Sequence, residues 1–142
     1  MPESSSSIRN SSFTTHNSQR ENVIRDKSFA FAVRIVRLSR LLADERREYV
    51  LSKQLLRSGT AIGALVREAE HAESKADFIH KMAIAQKEAN ESGYWLELLR
   101  ESGILSHKEF ESIISDQVEI GKILASIILT SRGKKRMVNG EV

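Results

Sequence analysis

A chain of 142 residues, 40% hydrophobic and 29% charged, is long enough for one domain with a real core and too short for two ordinary ones. It has no cysteine, which excludes disulfides, thiolate metal sites and cysteine nucleophiles. The net charge of +3 hides a division: residues 1–57 carry 11 Lys/Arg against 6 Asp/Glu, residues 58–130 carry 7 against 12, and residues 131–142 carry 4 against 1.

Such asymmetry implies either complementary contacts between subunits or a basic surface for an anionic partner. No stretch approaches the roughly 20 apolar residues that span a bilayer, and the N-terminus lacks the apolar run of a signal peptide. A cytoplasmic protein without a membrane partner is therefore expected.

Residues 1–25 are dominated by Ser, Asn and Thr, with apolar residues isolated at Ile8, Phe13, Val23 and Ile24. This composition buries too little surface to offset ordering entropy, so it predicts a disordered arm. A helical domain is expected over residues 26–131, followed by a basic, glycine-punctuated flexible tail over 132–142. The sole proline, Pro2, lies outside every element, and strand signals are missing from the middle of the chain.

The first helix is predicted from about Asp26 to Ala43. At about 100° per residue, Phe31, Ile35, Leu38 and Leu42 fall on one stripe, with Phe29, Val33 and Val36 nearly opposite. Two apolar faces imply two packing partners, one of them outside the bundle. Arg34, Arg37 and Arg40 run between these faces as a ridge.

The second helix follows the charged turn at residues 44–47 and extends to about His71, with the stripe Leu51, Leu55, Ser58, Ile62, Leu65/Val66 and Ala69. Gly59 and Gly63 each cost about 1 kcal/mol relative to alanine in a helix interior. Beside Ser58, Ala61 and Ala64, they predict a tight crossing with a neighbouring helix. The third helix opens at Ser74, an N-cap with Asp77 three residues on, and carries Phe78, Met82, Ala85, Ala89, Ser92/Gly93, Leu96 and Leu99 inward. Gly103 suits its C-terminal cap.

Ser106 and Glu109 form a capping-box pattern that opens the fourth helix. Its stripe is Phe110, Ile114, Gly121, Leu124 and Ile128, extended sideways by Ile113, Ile120 and Ile127. Short connections between these segments make successive helices antiparallel neighbours. The fold expected is all-α, an antiparallel up-down-up-down four-helix bundle.

Bundles of this kind hold di-metal sites on inward Glu-x-x-His pairs. Glu68 with His71 and Asp77 with His80 match that spacing, but each pair lies at about 260° and 200° from the core stripe. They read as solvated surface, so no metal and no cofactor is expected. Serines without a His/Asp partner pattern, and no glycine-rich phosphate loop after a strand, leave no enzyme signature and no small-molecule substrate. The carboxylates read as i,i+4 surface pairs, and His16 and His107 as flexible or turn residues.

Tyr94 and Trp95 lie at about 160° and 260° from Phe78, off the core. They read as a bundle edge or, in preference, as part of a subunit interface together with Phe29, Val33 and Val36. The ridge Arg34, Arg37, Arg40 and the cluster Arg132, Lys134, Lys135, Arg136 read equally as solubility and subunit ion pairing, or as phosphate contacts to nucleic acid.

Residues 27–130 carry Leu56-Arg57-Ser58-Gly59-Thr60, Ile62-Gly63-Ala64, Glu68-Ala69, Glu73-Ser74-Lys75 and Asp77-Phe78-Ile79. They continue with Ala83-Ile84-Ala85, Lys87-Glu88-Ala89, Glu91 and Tyr94-Trp95-Leu96-Glu97-Leu98. In order and spacing these resemble the bacterial four-helix bundle family named for intervening sequences in 23S ribosomal RNA genes. The resemblance implies a homopentameric ring and no established catalytic activity. A related accessory protein of diversity-generating retroelements shares the fold and works with nucleic acid, which supports a nucleic-acid role by analogy. Leu65 stands where that family commonly has Asn, and Ala61 where it often has Ser. Homo-oligomerisation with RNA or ribonucleoprotein binding is thus the expectation, with a protein-binding adaptor as its alternative.

Overall fold

The computed structural model describes residues 12–133, with side chains from residue 19 onward. Four helices follow one another: α1 (Ser12–Asp44), α2 (Val50–Ala69), α3 (Lys75–Glu101) and α4 (His107–Arg132). Each packs on its chain neighbours, and α4 closes the ring of contacts on α1. This is the expected up-down-up-down bundle, and no strand occurs among the described residues. Residues 1–11 and 134–142, including Lys134, Lys135 and Arg136, lie outside the described residues.

The predicted stripes of α2 and α3 are the buried ones, except that Leu51 and Phe78 at their beginnings are half-buried. Leu55, Ile62, Met82, Ala85, Ala89, Leu96 and Leu99 are fully or almost fully excluded from solvent. Their partners from α1 are Phe31, Ile35 and Leu42, also buried. Leu65 packs half-buried against this core, as an apolar neighbour. The stripe of α4 is turned from its expected centre. Ile113, Ile120 and Ile127, read as a sideways extension, are buried, while Ile114 and Gly121 are only half-buried. A helix that seals against both α3 and α1 must widen its apolar face, and the isoleucines spaced seven apart supply that width.

The first helix departs from expectation at its beginning. It starts at Ser12 rather than near Asp26, so residues 12–25 are helical. The reason is tertiary: Ile24 and Ser28 are fully buried, and the Arg20 Nη1 donates to Ser126 at 2.9 Å and Thr130 at 3.3 Å on α4. Polar composition hid a helix that leans on a partner distant in sequence.

Helix ends obey local chemistry. Ser74 accepts from the Asp77 amide at 3.0 Å, and Ser106 and Glu109 complete a full capping box. At the end of α3, Gly103 takes a left-handed φ of 76°, its amide donating to the Arg100 carbonyl at 3.0 Å. The Ile104 amide reaches the Leu99 carbonyl at 3.0 Å, which closes a Schellman motif. The start of α2 has an unexpected cap: Glu48 accepts from the amides of Val50 and Leu51, both at 2.7 Å.

The α1–α2 crossing is tight where the small residues predicted it. A Cβ on Gly59 would stand 2.8 Å from both branches of Ile35, whereas one on Gly63 would meet Ser28 at 3.4 Å. Between α2 and α3, the buried hydroxyls of Ser58 and Ser92 meet at 3.0 Å.

Candidate functional site

The charge division of the chain is partly settled inside one copy. Arg34 Nη1 donates to Asp116 at 2.6 Å and to the Ser112 carbonyl at 3.1 Å, and Nη2 donates to the Ser112 hydroxyl at 2.8 Å. Arg46 grips Glu109 with both Nη atoms, at 2.9 and 2.7 Å, and donates to the Ile104 carbonyl at 2.8 Å. Lys27 pairs with Glu119 at 3.2 Å, and Arg25 approaches Glu70 at 3.9 Å. Cations of the first part of the chain thus meet acids of the second across helix seams, rather than at i,i+4 spacing. Only Lys81–Asp77 and His107–Glu111 have that spacing among the pairs formed by the described residues.

Several residues that carry the resemblance converge on the α2–α3 seam. Arg57 donates to Glu88 at 3.3 Å and to Glu91, and the Trp95 indole donates to the same Glu91 oxygen at 3.2 Å. The Arg57 hydrogen bond holds the Glu91 carboxyl below its ordinary value. Trp95 is half-buried in this clasp, and Tyr94 packs edge-on against it with ring centres 5.0 Å apart. Tyr94 itself is 58% exposed.

The arginine ridge divides in two. Arg34 and Arg37 face a groove of about 440 Å³ between α1 and α4, floored by Leu38, Leu41 and Ile113. Arg40 instead borders a groove of about 370 Å³ between α1 and α2, together with Lys53. Arg37, Arg40, Lys53, Lys108 and Arg132 are exposed and make no ion pair among the described residues.

Of the outward apolar set on α1, Phe29 is exposed beneath the Arg67 guanidinium, 5.3 Å from its ring centre, while Val33 and Val36 are half-buried. Sequence reasoning missed Tyr49, Val50 and Leu56, which are also exposed, Tyr49 and Leu56 lining a groove with Val36. The signal was present as two apolar residues directly after a charged turn.

Glu68, His71 and His80 lie on the exterior, and Lys81 sits 3.5 Å from Glu68 and 3.9 Å from Asp77. No group of three His, Asp or Glu side chains suited to a metal occurs among the described residues. No helix among them is long and apolar enough to cross a membrane.

A sequence profile described as the 23S rRNA-intervening sequence protein matches residues 20–126. The chain belongs to this family. The matched span contains the residues that form the α2–α3 clasp. A solved structure agrees: a protein of unknown function from the S23 ribosomal protein family of Bacteroides thetaiotaomicron VPI-5482, at 1.70 Å resolution. It is 57% identical, with a TM-score of 0.76, over 77% of this chain and 97% of that one. No curated protein matches the chain.

Proposed function

We propose that the protein is a non-enzymatic, cytoplasmic homo-oligomer that associates with RNA or a ribonucleoprotein through exposed basic side chains. The observation that carries this reading is the set of unpaired cations. Arg37, Lys108 and Arg132 make no ion pair among the described residues, while Arg25, Lys27, Arg34, Arg46 and Arg57 are engaged inside the bundle. Cations left open on a rigid scaffold suit phosphates, which are met by charge and without regard to base sequence. The family's description, which refers to ribosomal RNA, supports the same direction. Assembly is supported by exposed Phe29 and Tyr94, and the resemblance supplies a ring of five.

Filter binding to mixed-sequence RNA across a salt series tests the RNA half. Expected is binding that weakens steeply with salt and weakens further when Arg132, Lys134, Lys135 and Arg136 are neutralised together. Absence of binding at low ionic strength would favour the alternative, a protein-binding scaffold. Internal pairing of so many cations is the specific observation on that alternative's side. Light scattering tests assembly: a monomer at micromolar concentration removes it.

A further inference from the structure

Two exposed features lie on different helices of the bundle and are complementary in charge. The first is a groove of about 370 Å³ between α1 and α2, whose apolar lining is Val36, Ala43, Tyr49 and Leu56. Arg40 and Lys53 border it, with one acid, Asp44, and none of these three has an ion-pair partner among the described residues. The second is Tyr94 on the outer side of α3, a ring fixed edge-on by Trp95 yet 58% exposed. Exposed Glu97, without an ion-pair partner among the described residues, follows it by three residues on the same helix face, and Glu101, paired with Arg100 at 3.1 Å, by seven. Because α3 packs on α2 and α4, this face points away from the α1–α2 groove of its own copy.

We infer that Tyr94 of one copy seats in the α1–α2 groove of the next, with Glu97 and Glu101 set against Arg40 and Lys53. The inference rests on the oligomeric reading above and specifies its contact as heterologous, one surface meeting a different one. A pre-ordered aromatic loses little entropy on insertion, which is why such side chains anchor interfaces. The charge rim gives direction: groove against groove would oppose Arg40 and Lys53 to themselves, and knob against knob would oppose the glutamates. A head-to-tail contact of this kind generates closed rings or open filaments, never an isolated two-fold dimer.

The test uses the full chain and light scattering at micromolar concentration, with circular dichroism to confirm that each variant keeps its helix content. Tyr94→Ala removes the knob and Leu56→Glu spoils the groove, both at exposed positions. Each variant alone is expected to be monomeric. An equimolar mixture is expected to give a 1:1 dimer and nothing larger, because each copy keeps one working surface. The charge pair Arg40→Glu and Glu97→Lys should behave likewise, weakened alone and rescued when mixed. A wild-type oligomer that survives Tyr94→Ala, or variants that stay monomeric on mixing, would overturn the contact while leaving assembly intact. A monomeric wild type would remove assembly and the contact together.

Discussion

At the scale of single residues, the two glycines of α2 have the same sequence signature and different roles. Gly59 is where the backbone must come close: an added methyl would press on the branched, fully buried Ile35 at 2.8 Å. Gly63 has room, since its virtual Cβ meets Ser28 at ordinary contact distance. Gly59→Ala is therefore expected to destabilise by about 1–3 kcal/mol through overpacking, despite its better helix propensity. Gly63→Ala should be neutral or stabilising by up to about 1 kcal/mol. Urea denaturation of both variants would decide, and equal effects would contradict the account. The spacing revealed that a close crossing exists. It held no information on which glycine bears the contact, because that depends on how α1 lies across α2.

At the scale of elements, the start of α1 shows the limit of composition. Val23 and Ile24 stand among polar residues, which suggested an arm, yet Ile24 is fully buried. Ile24→Ala is expected to cost about 2–5 kcal/mol, as for other buried large-to-small changes, whereas a residue in a disordered arm would cost nothing. Thermal unfolding of that variant measures the difference. The predicted caps of α3 and α4 were legible because capping is local chemistry, fixed by residues three apart.

The α4 cap also carries a pH dependence. Hydrogen bonds from Arg46, and then from the Ser106 backbone, hold the Glu109 carboxyl down at about 2 from an ordinary 4.5. A depressed carboxylate contributes stability that is complete above its unfolded value and disappears as pH falls through the folded one. The stability gap between wild type and Glu109→Gln should thus close between about pH 4.5 and 2. At neutral pH the gap should be only about 1 kcal/mol, because the side chain is 35% exposed and solvent screens the pair. Denaturant titrations at neutral and acidic pH would detect the closure; a gap that widened on acidification would contradict it.

At the scale of the whole molecule, the bundle sorts its cations. Arg34, Arg37 and Arg40 are indistinguishable in sequence, three residues apart on one helix, but α4 brings Asp116 and Ser112 to the first alone. Neutralising Arg37 and Lys108 to Gln is expected to weaken RNA binding and to flatten its salt dependence by up to about two phosphate contacts. Arg34→Gln should leave both nearly unchanged. Affinities measured across a salt series compare the three, and an Arg34 effect as large as the others would refute the sorting.

What the sequence determined by itself was the number of helices, their ends at Ser74, Gly103 and Ser106, and the inward stripes of α2 and α3. Periodicity and capping act over three or four residues, so a linear reading captures them. Only the tertiary structure decided that α1 begins at Ser12, that α4 turns Ile113, Ile120 and Ile127 inward, and that half the charge division is neutralised within one copy. Those outcomes depend on which surfaces meet across seams joining residues 13 to 110 positions apart, and no local pattern encodes such a meeting.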